Sequence, residues 1–242
     1  QDPAYAPANV LFEKIRAEKE RLIKEGKIKR EKPLPAIADD EIPYELPEGW
    51  VWCKLSSIAE IGTGATPLKA TSGYYNGTIP WITSSATGKR YIEEAEVFIT
   101  EKALQETNCK IYPIGTLILA MYGQGKTRGQ ISELCINATI NQACASIRLF
   151  LFNKTTNEYI KMFFEKHYVE LRELAAGGAQ PNLNLQKIKD TLIPLPPFSE
   201  QQRIISKVKQ LMCTCDALEA EVAKSRIETD RLMQTILKEA FE

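Results

Sequence analysis

Apolar residues near the C-terminus recur at steps of four and three: Ile204, Val208, Leu211, Cys215, Leu218, Val222, then, past the polar pair Ser225 and Thr229, Leu232 and Ile236. Lys, Arg, Glu, Asp and Gln fill most positions between them. That spacing predicts one helix with a heptad seam, polar only at Ser225 and Thr229. About 40 helical residues extend roughly 60 Å, more than a domain of this size needs internally, so the seam is expected to pair with another helix. Pro194, Pro196 and Pro197 precede it and read as a boundary, since proline is expected neither within a helix nor inside a sheet. Ser199 is the expected N-cap, with Glu200 and Gln201 in the first turn.

Upstream the pattern changes twice. Ala8 to Lys29 carries a partial apolar stripe (Val10, Leu11, Ile15, Leu22, Ile23) among dense mixed charge, which predicts a helix with a solvated face. Lys32 to Pro47 is rich in proline and acid and reads as a linker. From Trp50 to Leu151 short β-like runs alternate with Gly, Thr, Ser and Asn: Val51–Leu55, Ile79–Thr83, Val97–Thr100, Thr116–Tyr122 and Ala145–Phe152. Helical spacing interrupts at Thr100–Glu106 and at Asn157–Ala176, the latter stopped by Gly177-Gly178, and a short helix is expected at Asn184–Thr191 before a strand at Leu192–Leu195. The expectation is a mixed α/β (α+β) domain followed by a long C-terminal coiled-coil helix, divided as residues 1–45, 46–197 and 198–242.

Charge does not advertise a polyanion partner, because Lys plus Arg equals Asp plus Glu at 31 each. A nucleic-acid face must therefore be local. Six cysteines lie scattered without a C-x-x-C pair and there is one histidine, His167, so zinc spacing is missing, no metal or cofactor is expected, and the cysteines read as packing residues in a reducing cytoplasm. No apolar run suits a bilayer. The chain opens on Gln1, so a piece of a longer product is the expectation.

Four polar loops carry the candidate chemistry. Tyr122-Gly123-Gln124-Gly125-Lys126-Thr127-Arg128-Gly129 follows a strand. It ends like a phosphate-binding loop, but the first glycine of that motif falls on Ala120, and Gly129 comes where a helix should open. Three glycines with Lys126 and Arg128 suit a DNA backbone better, and Gln124 or Arg128 suits a base edge. Ser84, Ser85, Thr87, Lys89 and Arg90 form a second candidate, Thr63 and Thr66 a third, Gln180 and Asn182 a fourth. A methyl-donor glycine fingerprint, a G-x-S-x-G nucleophile and a carboxylate cluster are all missing, so no catalytic residue is expected.

Leu195 to Glu219, with Pro-Pro-Phe-Ser-Glu-Gln-Gln, Ile204, Val208, Leu211, Met212, Cys215-Asp216 and Leu218-Glu219, resembles the conserved region of type I restriction-modification specificity subunits. Leu46-Pro47-Glu48-Gly49-Trp50, followed by Val51-Trp52 and Lys54-Leu55, resembles the start of their target-recognition domain. The resemblance implies that residues 46–197 bind one half of a bipartite duplex target and that residues 198–242 form a coiled-coil spacer. It also implies methyltransferase subunits and, through them, restriction subunits as partners, and pairing with a second repeat or a second copy. The end of the spacer resembles Leu237 to Phe241 and leads in the family into a stretch like Gln1-Asp2-Pro3, so the chain reads as one repeat or a half-sized subunit. Two other readings stand beside this one: a nucleotide-binding enzyme using Gly125-Lys126-Thr127, and a coiled-coil adaptor without DNA contact.

Overall fold

The computed structural model describes residues 6–30, 35–123, 126–176 and 183–241. Helix α1 spans Ala8–Lys24. It stops five residues short of the expected Lys29 because Gly26 takes a positive φ of 68° while the Lys27 amide reaches back to the Leu22 carbonyl, the glycine-dependent closure of a helix end. Ile15 is its buried residue at mid-length, and the Lys19 ammonium lies 3.0 Å from the Ser56 carbonyl and over the Phe150 ring.

Strands and short helices then follow: β1 (Val51–Lys54), α2 (Leu55–Ile58), β2 (Ala59–Thr63), β3 (Tyr75–Ile82), β4 (Tyr91–Ile92), β5 (Val97–Ile99) and α3 (Glu101–Glu106). Next come β6 (Leu117–Ala120), β7 (Ile131–Leu134), β8 (Thr139–Ile140), β9 (Cys144–Leu149), α4 (Lys154–Lys166), α5 (Tyr168–Ala176), α6 (Leu185–Lys189) and β10 (Leu192–Leu195). The main sheet has the order β2-β9-β6-β7-β4, a second has β5-β3-β8, and β1 pairs with β10 alone. Leu117, Ile118, Leu119 and Ala120 are each 0% exposed, so both faces of β6 are covered and the strand reads as an unbroken apolar run rather than an alternation.

Three expectations are corrected. The single helix Asn157–Ala176 is two, α4 and α5, parted at His167, whose ψ of 6° departs from helical geometry. α4 also starts earlier, because the Asn153 side chain accepts from the amides of Thr155 and Thr156, satisfying first-turn donors. β10 has the bounds expected, Leu192–Leu195, but Pro194 thereby lies inside it, opposite Trp52, so the proline boundary begins only at Pro196. A two-stranded ladder asks less of each backbone amide than a central strand does, and the Pro194 carbonyl still accepts from the Tyr159 hydroxyl at 2.5 Å.

The chain divides into two compact units, Gln1–Gln201 and Gln202–Glu242. Helix α7 runs Phe198–Phe241, so Ser199 sits within its first turn and is not the cap. The turn is secured by fully buried Gln201, whose side-chain amide donates to the Pro196 carbonyl at 3.0 Å. In the second unit Leu211, Leu218 and Leu232 are 52%, 61% and 62% exposed. Thr229, a polar member of the seam, donates its hydroxyl to the Ser225 carbonyl at 2.8 Å. Its polar group is thus satisfied within the helix and needs no water.

Candidate nucleic-acid interface

Three of the four loops with candidate chemistry leave one end of the main sheet. β2 ends at Thr63 opposite Ala145, and β6 ends at Ala120 opposite Cys144, so both stop beside the start of β9. β7 begins at that end too, being antiparallel to β6, and Tyr91 at the start of β4 pairs with Glu133. Short backbone bonds knit the loops together. The Asn141 amide donates to the Ile82 carbonyl at 2.8 Å, and the amides of Met121 and Tyr122 reach the Ala143 carbonyl. A recess of about 420 Å³ lies between Lys89 and Arg90 of one loop and Lys126 and Gln130 of another, with Glu165 and Tyr168 behind.

The Gly-rich segment connects β6 to β7 as a hairpin. The Ala120 amide donates to the Gln130 carbonyl, and the Gly129 amide to the Ala120 carbonyl, both at 2.9 Å. A phosphate-binding loop must open a helix; this one returns to a strand. Gly129 has φ 86°, which favours glycine, and a Cβ at Gly123 would fall 2.7 Å from the Thr127 Cβ. Lys126 is exposed and Arg128 half-buried. Among the described residues neither meets a carboxylate in an ion pair. Gln124 lies outside the described residues.

Arg90 is placed differently. Its guanidinium meets Glu158 at 2.8 Å and Glu165 at 3.1 Å. Burial lowers the Arg90 pKa, but the two carboxylates outweigh it and hold the group above its ordinary value. Next to it Lys161, fully buried, meets Glu133 at 2.6 Å and Glu158 at 3.0 Å, with its ammonium 3.9 Å from the Tyr91 ring centroid. Glu158, Lys161 and Glu165 are spaced along one face of α4, which straps β4 and β7 together. Among the described residues Arg90 therefore already has two carboxylate partners, while Lys89 has a single exposed one, Glu94 at 3.5 Å.

The remaining candidates divide likewise. Thr87 is 2% exposed and its hydroxyl donates to the Ser84 carbonyl at 2.7 Å; it holds the 3-10 turn Ser84–Gly88 and offers no free surface. Ser85 is exposed, 2.7 Å from the Thr83 hydroxyl, and Ser84 is half-buried. Thr63 donates to the Cys144 carbonyl at 3.0 Å, while Thr66 is exposed. Gly64 is required by packing, since a Cβ there would sit 1.8 Å from the Ile140 carbonyl oxygen. Tyr122 is 37% exposed. Gln180 and Asn182, with the expected stop at Gly177-Gly178, lie outside the described residues.

Sequence reading missed Tyr168 and Arg172 on α5, Glu158, Lys161 and Glu165 on α4, and the Asn141–Ala143 turn. The cysteines are free: Cys53, Cys109 and Cys144 are buried, with burial pushing the Cys53 and Cys144 thiols up to about 12. Cys213 and Cys215 are exposed, so the packing role expected of all six does not hold for these two within the chain. Among the described residues no group of His, Cys, Asp and Glu suits a metal, and no helix is long and apolar enough to cross a membrane.

Comparison with known proteins gives this geometry a family. Over its full length the chain is 30% identical to the type I restriction enzyme EcoAI specificity subunit of Escherichia coli, and 28% identical to the EcoEI specificity subunit, also of Escherichia coli. It spans 41% of the length of each. The fold matches a chain from a type I R-M system structure (TM-score 0.63, 22% identity, 97% of this chain and 57% of that one). It also matches the HsdS subunit from Thermoanaerobacter tengcongensis (TM-score 0.62, 20% identity, 97% and 53%). The family profile described as the type I restriction modification DNA specificity domain matches residues 47–229, and the chain belongs to that family.

Proposed function

We propose that the globular unit reads one half-site of a bipartite duplex DNA target, and that the terminal helix pairs with a second repeat or a second copy to set the distance to the other half-site. The observation that carries this reading is the convergence of three of the polar loops at one end of the main sheet. There Lys126 and Arg128 stand without carboxylate partners among the described residues, while Arg90 is held by Glu158 and Glu165. A chain with balanced overall charge needs such a local cationic feature to approach a polyanion. Contacts are assigned to Lys126, Arg128, Tyr122, Ser85 and Lys89, with Thr66 at the margin. Thr87 and Arg90 act through the scaffold. On this reading the chain performs recognition and no chemistry, and methyltransferase subunits, with restriction subunits beyond them, act where it is bound.

The helix suits a spacer because it is stiff. Its 44 residues extend about 66 Å, at roughly 1.5 Å per residue, which corresponds to about 20 base pairs at roughly 3.4 Å each.

Lys126→Ala and Arg128→Ala test the reading in titrations of short duplexes across a salt series. A residue on phosphate lowers affinity for every sequence and flattens the salt dependence. A residue on a base relaxes specificity at one position, by roughly 1–3 kcal/mol. Unchanged affinity, salt slope and selected sequence in both variants would remove the loop from the DNA face and leave a helical adaptor.

A further inference from the structure

The Gly-rich hairpin is held partly by its own backbone bonds and partly from α5. The Tyr168 hydroxyl donates to the Lys126 carbonyl at 2.5 Å. One turn on, the Arg172 guanidinium donates to the Arg128 carbonyl at 3.3 Å and to the Tyr168 hydroxyl at 3.2 Å, with its Cζ 5.3 Å from the Tyr168 ring centroid. The carbonyl between them, on Thr127, accepts from the Gln130 amide at 3.1 Å. Gly129 lies against both α5 side chains, since a Cβ there would approach the Tyr168 ring at 3.3 Å and the Arg172 Cγ at 3.6 Å.

Three consecutive carbonyl oxygens, at Lys126, Thr127 and Arg128, are thus engaged within the fold. Carbonyl oxygens repel a phosphate, and a loop that leaves them uncommitted presents the wrong end of its peptide dipoles to an anion. We propose that Tyr168 and Arg172 are positioning residues for DNA recognition: by gripping the Lys126 and Arg128 carbonyls they hold the hairpin in the form that offers the Lys126 and Arg128 side chains to the duplex. The proposal rests on the function argued above and deepens it. Its physical basis is preorganisation, because a loop ordered before binding has less conformational freedom to lose on contact. Tyr168 and Arg172 stand four residues apart and share one face of α5, so a single helical turn sets the geometry of the loop.

The test uses the full chain with Tyr168→Phe, which removes one hydroxyl and keeps the ring under Gly129, and Arg172→Lys, which keeps the charge and loses the planar fork. Two measurements are made on each. Amide hydrogen exchange in the free chain should be at least about tenfold faster across residues 127–130, with the unfolding midpoint unchanged. Affinity for duplexes selected by the unsubstituted chain should fall about tenfold. Unaltered exchange in both variants would overturn the grip. Faster exchange with unaltered affinity, where Lys126→Ala or Arg128→Ala does weaken binding, would overturn it as well, because the grip would then not position the hairpin for DNA. Faster exchange with no effect on DNA from these variants, nor from Lys126→Ala and Arg128→Ala, would instead defeat the underlying function and show a grip that serves stability alone.

Discussion

In the main sheet Leu117, Ile118 and Leu119 have no exposed surface, whereas in the terminal helix Leu211, Leu218, Val222 and Leu232 each keep more than half of theirs. The residue types are the same, and the difference lies in what their neighbours supply. A β6 side chain is covered because β9 and β7 flank the strand and both faces are packed. A seam side chain on α7 has helix neighbours only above and below it. Complete burial of a Leu or Ile is worth about 1.5–3 kcal/mol, so the sheet residues stabilise this fold, while the seam residues add little of that stabilisation within the chain. Thr229, one of the two polar seam residues, has its hydroxyl satisfied within the helix by the Ser225 carbonyl.

The contrast breaks most completely if the helix is made unfit for a partner. Leu211→Asp combined with Leu218→Asp should turn an associating chain into a monomer in sedimentation, and leave the urea unfolding of the globular unit where it was. An unchanged mass would mean that the exposed seam serves no association.

A second effect, on stability and not on association, is expected within the globular unit, at its buried ion pairs. Lys161→Ala would leave Glu133 and Glu158 facing each other without the ammonium that joins them. Removing one partner of a buried ion pair costs about 3–5 kcal/mol, read as a lower urea midpoint. Lys161→Met separates charge from bulk. If it is as stable as the unsubstituted chain, the network contributes volume and not electrostatics.

The smallest change is expected at His167, the break between α4 and α5. Burial lowers its pKa, Glu170 opposes that, and Lys166 adds to it, for a net depression below the usual value. The ring stacks on Phe163, 5.2 Å between centroids. The fold therefore favours the neutral ring. Its stabilisation is present above the unfolded pKa of about 6.5 and is lost as pH falls through the lower folded value. His167→Gln should flatten the fall in unfolding midpoint between about pH 7.5 and about pH 5. Parallel curves for the two proteins would assign that pH dependence to the carboxylates.

Local pattern was enough for most elements. The heptad spacing marked α7, Thr100 marked the start of α3 through a hydroxyl that accepts from the Ala103 amide, and the apolar run at Leu117–Ala120 marked β6. It was also enough to set aside a phosphate-binding loop at Gly125-Lys126-Thr127, since Ala120 stands where a glycine is needed. Each of these depends on residues within a few positions of one another, and spacing reports such neighbours directly.

What only the tertiary structure decided is who meets whom across long stretches of chain. Arg90 looks in sequence like a second loop cation beside Lys89, yet it is paired with Glu158 and Glu165. Thr87 looks like a surface hydroxyl and is buried; Tyr168 looks like one more apolar helix position and grips the Lys126 carbonyl. These partners are separated by 68 residues for Arg90 and Glu158 and by 42 for Tyr168 and Lys126. No periodicity reports on such pairings, because they follow from strand order and from which end of the sheet each loop leaves. Ser84–Arg90 and Tyr122–Gly129 could be found as polar loops from residue types alone, but their meeting depends on β4 lying parallel to β7 and β6 antiparallel to it.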